Sequence, residues 1–251
     1  MMTLSLFFKQ HPKAAIAFSG GVDSAYLLSE AVRCGVDVTA YYVKTAFQPQ
    51  FELDDAKRLA SELGARVKVV ECDILCHDIV AANPADRCYY CKREMFTLLS
   101  EHAKADGYTL ILDGTNASDD AGDRPGMRAL KELSVRSPLR ECGLTKAEIR
   151  RLSRESGLFT WDKPAYACLA TRIPTGEVIT AEKLWKTEAA ETYLSGLGLR
   201  DFRVRMMGNT AKLQVTAADL PMVLEKREQL VTELKMYYDE VLLDLDVRKD
   251  R

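Results

Sequence analysis

The apolar run Ala14-Ala15-Ile16-Ala17-Phe18 leads straight into Ser19-Gly20-Gly21-Val22-Asp23-Ser24, after which Ala25, Leu28, Ala31 and Val32 fall on one helical face. A strand, a glycine loop and a helix in that order restrict the fold more than any other stretch of the chain. The first turn of a helix carries unpaired N–H groups and the positive end of the dipole, so the loop before it suits an anion such as phosphate. Glycine lets the backbone approach closely. The serine hydroxyls donate to phosphate oxygens, and Asp23 offers a carboxylate to a hard cation such as Mg²⁺. Ser19, Gly20, Gly21, Asp23 and Ser24 are therefore the candidate phosphate-binding residues. The ordinary alternative is a strand-to-helix turn capped by Ser or Asp.

The alternation continues, with a strand expected at about 37–43, a helix at about 52–63 and a strand at about 66–71, and with Gly35 and Gly64 closing helices. A helix at about 92–105 leads into Tyr108-Thr109-Leu110-Ile111-Leu112, read as a buried strand ending at Asp113-Gly114-Thr115-Asn116. Strands alternating with helices imply a doubly wound parallel sheet, an α/β fold, and ligands of such sheets sit beyond the C-terminal strand ends. Gly114 and Thr115 join the candidate site on that ground. Residues 115–126, rich in Asp, Asn and Gly, read as a loop over the crevice. Thr145 and Glu148 form a capping box for a helix at about 145–156. Residues 158–179 show little periodicity and hold Trp161, Cys168, Arg172 and two prolines. A structureless stretch of that length suits a site better than a linker. Beyond 180 come a helix (about 181–195), strands (about 201–207 and 211–216), a helix (about 218–235) and a strand (about 239–245). The expected organisation is thus a nucleotide domain over 1–178 and a small α+β domain over 179–251.

A net charge of −2 provides no general attraction for nucleic acid or an anionic membrane, so a small phosphorylated substrate fits better. No long apolar run and no basic leader are visible, and a cytoplasmic protein with no membrane partner is expected. The seven cysteines are odd in number and lack a secretory context, which argues against a disulfide framework. Cys34 and Cys142 suit small apolar roles. Cys72, Cys76 and His77 are spaced for metal but lack a second pair. Cys88 and Cys91 form the CxxC of the chain, with Cys168 far off in the irregular stretch. Three thiolates suit a cubane iron–sulfur cluster with one open iron better than a four-ligand zinc site. Packing or capping at a helix start is the alternative for the pair.

The hexapeptide at 19–24 resembles the PP-loop signature of GMP synthetases, NAD synthetases, argininosuccinate synthetases and tRNA thiolation enzymes. It lacks the lysine of P-loop NTPases. The resemblance implies cleavage of ATP between its α and β phosphates, adenylation of an acceptor oxygen and release of pyrophosphate. Longer segments sharpen it. RCYYCK at 87–92, DGTNASDDAGDRPG at 113–126, SPLRECGLTKAEIR at 137–150, PAYACLATRIPTG at 164–176 and RVR at 203–205 resemble, in order, the ATP-dependent sulfur transferases that make the nickel-pincer cofactor of lactate racemase.

That family places its sulfur centre at the position of Cys168. Some members sacrifice the sulfur of this cysteine; those with the additional CxxC are similar to this chain and use a 4Fe-4S cluster as a sulfide carrier. The resemblance therefore implies Cys88, Cys91 and Cys168 as cluster ligands, ATP with Mg²⁺, and a pyridinium dicarboxylate mononucleotide as acceptor. It also implies a homo-oligomer. Arg203 and Arg205 alternate on one strand and are the expected seat of the acceptor phosphate; Glu191 corresponds to a position near that phosphate, reached through a metal. Lys92 and Arg172 are candidates for charge stabilisation. The family's glycine-rich terminal segment is replaced by Val247-Arg248-Lys249-Asp250-Arg251. A tRNA thiolation enzyme would need a basic face, an amide-forming ligase an ammonia source, and a non-catalytic zinc-binding module would leave the glycine loop as a mere turn.

Overall fold

In a computed structural model, which describes residues 2–119 and 125–248, β1 (Lys13–Ala17), β2 (Asp37–Lys44), β3 (Arg66–Glu71) and β4 (Ile111–Leu112) form a parallel sheet ordered β3-β2-β1-β4. Successive side chains of a strand point to opposite faces. Ala14, Ile16, Val38, Ala40 and Tyr42 accordingly enter one core, with α1 (Leu4–Gln10), α2 (Val22–Arg33) and α3 (Gln50–Glu62). Ala15, Tyr41, Val43 and Val70 enter the other, with Leu99 and Ala103 of α5 (Arg87–Ala105). Burial on both faces is why these strands read as continuous apolar runs. The sheet is doubly wound, as expected, and its strand order reverses between β1 and β4. Ligand crevices of open α/β sheets open at such a point.

The chain divides into two compact units, Met1–Cys76 with Asp86–Ala165 and His77–Ala85 with Tyr166–Arg251. The division falls between Ala165 and Tyr166 rather than after residue 178. In the first unit, α6 (Pro125–Glu132), α7 (Pro138–Glu141) and α8 (Lys146–Glu155) complete the helical layers. The Thr145 hydroxyl caps α8 by accepting from Glu148 N at 3.3 Å, as its spacing predicts. Gly35 and Gly64 stand at φ +71° and +61°, the left-handed turn that ends α2 and α3.

Three expectations shift. Helix α5 begins at Arg87, not near 92, so the CxxC lies inside its first turns. The apolar periodicity that marks a helix starts later because this turn exposes Cys88 and leaves Tyr89 and Tyr90 only half-buried. Only Ile111 and Leu112 of the 108–112 run pair as a strand, although Leu110 O still accepts from Ala15 N at 2.9 Å. The short helices α1, α6 and α7 were not expected, since one or two turns carry too few residues to display a period. Residues 120–124 of the expected crevice loop lie outside the described residues, and helix α6 starts at Pro125.

The second unit is the expected α+β piece. Strands β5 (Arg203–Met207), β6 (Thr210–Gln214) and β7 (Glu240–Leu243) lie in that order, β5 antiparallel and β7 parallel to β6. Helix α9 (Ala181–Gly196) precedes the sheet; the helix expected over 218–235 is two, α10 (Leu220–Glu225) and α11 (Arg227–Leu234), parted at Lys226. The unit also takes in α4 (Asp78–Ala81), whose flank is stitched down by Gly176 N to Asn83 O and Ile179 N to Ala81 O, both 2.8 Å. No helix among the described residues is long and apolar enough to cross a membrane.

Candidate active site

The glycine loop is shaped by contacts that only glycine permits. Gly20 adopts φ +72°, and a Cβ there would stand 3.0 Å from Ala56 Cβ. Gly21 is the N-cap of α2. Ser24 Oγ donates to Gly21 O at 3.2 Å and lies 3.1 Å from Ser19 Oγ, which knits the loop to itself. At the end of β4, Gly114 abuts the start of α2 so closely that a Cβ would fall 2.9 Å from Ser24 N. Two strand ends either side of the reversal are thereby pressed together. Between them opens a cleft of about 350 Å³, lined by Ser19, Asp23, Ser24, Asp113, Gly114, Thr115 and Lys92. Its inner wall is apolar, with Tyr41, Val43, Phe96 and Leu99. A polar mouth over an apolar wall suits a ligand with a flat ring and a charged tail.

The mouth is electrostatically organised. Asp113 is buried and accepts from Ser137 Oγ at 2.6 Å and from Thr115 Oγ1. Asp23 receives Lys146 Nζ at 2.6 Å on Oδ2 and Asn116 Nδ2 at 3.3 Å on Oδ1. Asn116 belongs to the polar strand end that the sequence places at the crevice, whereas nothing in the sequence points to Lys146. Lys146 is simply the residue after the Thr145 cap, and no local pattern links it to a loop 123 positions earlier. Lys92 lies across α6, where a Cβ at Gly126 would come within 3.0 Å of its Cδ.

The cysteines separate by environment. Cys88 is exposed and lines a depression of about 330 Å³ with Lys92, Thr115, Asp119 and Gly126. Cys91, one turn on, is half-buried, and its thiol donates to Met95 Sδ at 3.6 Å. Cys168 belongs to the other unit, at the N-cap of a 3-10 turn over Leu169–Arg172. Among the described residues no three His, Cys, Asp or Glu side chains gather as a metal site. Two thiolates on one helical turn are nonetheless a donor pair fit for a soft metal or cluster. Burial pushes the Cys72 and Cys142 thiols above their ordinary pKa, as for packed, unreactive cysteines.

In the second unit Arg172 and Glu191 form a buried ion pair. Arg172 Nε donates to Glu191 Oε1 at 2.8 Å and Nη2 to Oε2 at 3.0 Å. Glu191 also accepts from Val204 N at 2.9 Å and from the Tyr166 hydroxyl, so both of its oxygens are occupied. The carboxylate expected near a phosphate through a metal is therefore engaged as a structural anchor. Arg172 is likewise no solvated charge. Its Nη1 donates to Ala167 O at 2.7 Å and to Cys168 O at 3.3 Å, bracing the Cys168 backbone. Burial opposes its charge, but the hydrogen bonds and the charge of Glu191 outweigh it, and its pKa stands raised.

Arg203 and Arg205 share one face of β5, as their spacing predicts. Arg203 is buried, its guanidinium 5.2 Å from the Tyr166 ring centroid; Arg205 is exposed and donates to Gln214 Oε1 at 2.7 Å and Thr171 O at 3.0 Å. Burial, with repulsion from Arg172 and Arg248, pushes Arg203 down to about 10 and lowers Arg205 as well. Arg248 comes from the divergent terminal segment and is tied to Asp201 at 2.8 Å; residues 249–251 lie outside the described residues. Mutually repelling guanidiniums of this kind are a standing attraction for an anion.

No family model matches the chain. It is 40% identical over 216 residues to an uncharacterised protein of Synechocystis sp., covering 84% of this chain and 80% of that one. With the pyridinium-3,5-bisthiocarboxylic acid mononucleotide synthase of Lactiplantibacillus plantarum it shares 33% identity over 246 residues, covering 97% of this chain and 89% of the synthase. The tRNA-specific 2-thiouridylase MnmA of Thermotoga neapolitana is 24% identical, over 58% of this chain and 52% of its own. Taken with a glycine loop at the reversal of a doubly wound sheet, this likeness over nearly the whole length means that the chain belongs to the family of pyridinium-3,5-bisthiocarboxylic acid mononucleotide synthases, within the PP-loop superfamily.

Proposed function

We propose that the protein is an ATP-dependent sulfur transferase that adenylates a carboxylate of a pyridinium dicarboxylate mononucleotide and converts it to a thiocarboxylate, a step of nickel-pincer cofactor synthesis. The observation that carries this reading is the cleft in which Ser19, Asp23 and Ser24 of the loop face Asp113, Gly114, Thr115 and Lys92. A polyphosphate laid there meets serine hydroxyls, the α2 N-terminus and an ammonium group. Asp23 would take Mg²⁺ brought by ATP.

The first step is attack of a substrate carboxylate oxygen on the α phosphorus, with the α–β bridging bond breaking and pyrophosphate leaving. Loop donors and Lys92 stabilise the charge on the transferring phosphoryl group. In the second step a sulfur nucleophile adds to the activated carbonyl and AMP leaves with the bonding pair. Cys88, Cys91 and Cys168 are assigned to hold a 4Fe-4S cluster, which when bound would supply a transferable sulfide; the Cys168 thiolate is the other source, its thioester then losing the Cα proton to a base as the Cβ–Sγ bond breaks, which leaves dehydroalanine in the chain and releases the thiocarboxylate. Arg172 holds the Cys168 carbonyl in place for either route. Arg203 and Arg205 are assigned to the acceptor phosphate, and Glu191 to keeping their strand in position through Val204 N. The tRNA-thiolating alternative is disfavoured by the net charge of −2.

The test is single-turnover mass spectrometry of anaerobically reconstituted protein with ATP and the dicarboxylate mononucleotide. AMP, pyrophosphate and a thiocarboxylate product are expected; ADP would refute the assignment. An unchanged polypeptide would indicate a carrier, and one sulfur lost from Cys168 would indicate sacrifice. Cys88→Ala, Cys91→Ala and Cys168→Ala should each abolish cluster absorption and transfer, while Cys72→Ala and Cys76→Ala retain both.

A further inference from the structure

Asn83 holds a backbone conformation that few side chains accept. Its φ of +55° lies in the left-handed region, and the residue is buried. Its amide Nδ2 donates to Pro174 O at 2.8 Å and to Ile173 O at 3.4 Å, while its own carbonyl accepts from Gly176 N at 2.8 Å. A left-handed residue other than glycine persists only where its surroundings fix it. Glycine would make the same turn without strain. What asparagine adds is the side-chain bond to carbonyls 90 and 91 positions along the chain.

The two segments joined in this way are those that carry the candidate sulfur-site cysteines. Cys88 follows Asn83 by five residues, and Cys168 precedes Ile173 by five. Five residues of extended chain reach at most about 18 Å, so each cysteine is tethered to the Asn83 clamp. Along the chain Cys88 and Cys168 are 80 positions apart; through the clamp the path is an eighth of that. Shortening a flexible loop by that factor raises the chance of its ends meeting by roughly twentyfold. The packed core already confines both ends, so this figure is a ceiling.

We infer that Asn83 is a positioning residue of the sulfur site, the clamp that keeps the Cys168 segment within reach of the CxxC. It acts through the carbonyls of Ile173 and Pro174 and forms no bond to substrate. The inference rests on the reading of Cys88, Cys91 and Cys168 as one sulfur site.

Bridging of the full chain, free of cluster, by a short bismaleimide tests it. Peptide mass spectrometry then reads how often Cys168 meets Cys88 or Cys91. Asn83→Gly keeps the left-handed turn and loses the amide; Asn83→Asp keeps the shape and loses the donor. Both are expected to lower the yield of this bridge roughly fivefold, the worth of about one hydrogen bond. Iron bound after anaerobic reconstitution should fall with it, and Mg·ATP affinity should not change. Val223→Ala opens a cavity in α10 of the same unit and serves as the comparison. It should shift the urea midpoint by as much or more, yet keep the bridge and the iron. Unchanged bridging in both Asn83 variants, or an equal loss in Val223→Ala, overturns the inference and leaves Asn83 a staple of the fold. If the unaltered chain gives the bridge but takes up no iron, the cluster assignment fails while the clamp stands. If it gives no bridge, the three-cysteine site fails, and the inference with it.

Discussion

Arg172 Nε lies 2.8 Å from Glu191 Oε1, and the two side chains keep 1% and 5% of their surface. A pair so enclosed is a poor source of net stability but a costly one to break, because the remaining partner is left charged and desolvated. Glu191→Ala is expected to destabilise the protein by about 3–5 kcal/mol in urea unfolding. Adding Arg172→Met should recover much of the loss. A loss under about 1 kcal/mol for the single variant would mean that Glu191 is free for another role, such as binding a metal.

Arg203 is held as a cation against burial and against Arg172 and Arg248, with its pKa down at about 10. A depressed cationic pKa means that the folded state carries a penalty below that pH, relieved as pH rises through about 10 or by a bound anion. Arg203→Ala with Arg205→Ala removes that penalty, so folding stability near neutral pH should not fall. It should weaken acceptor binding by roughly tenfold or more, with ATP binding intact. Equal weakening of both ligands in equilibrium titrations would show that the arginines act elsewhere.

Gly114→Ala places a methyl group 2.9 Å from Ser24 N, against backbone that cannot yield without moving the start of α2. Overpacking of this kind costs about 1–3 kcal/mol, and nucleotide affinity should fall with it. Gly196 ends α9 with nothing within 4 Å of its Cβ position. Gly196→Ala should raise stability by up to about 1 kcal/mol through helix propensity alone. Thermal unfolding of the two variants side by side checks the contrast; similar changes in both would refute it.

The hydrogen bond from Arg136, with its charge, holds Glu141 below the ordinary glutamate range of about 4.3. A depressed carboxylate pKa contributes stability above the unfolded value and loses it as pH falls through the folded one. Glu141→Gln should therefore lower stability near neutral pH by up to about 1 kcal/mol, the scale of a partly exposed pair. The difference should shrink to nothing in strong acid. A gap between the two unfolding curves that persisted there would exclude the ion pair as its cause.

What the amino-acid order determined by itself is what acts within a turn or two of the chain. The left-handed glycines at 35 and 64, the Thr145 cap, the sheet's apolar strands and the Ser19–Ser24 loop were legible because φ preferences, capping bonds and side-chain periodicity are short-range. The start of α5 at Arg87 and the shortness of β4 were not, since half-buried turns and edge pairing depend on what packs beside them. Tertiary structure alone decided which charges meet. Lys146 reaches Asp23 across 123 positions, and Glu191 is claimed by Arg172 rather than left open. Coulombic and hydrogen-bonding partners are chosen by proximity in space, which the crossovers of the sheet create and no local pattern encodes.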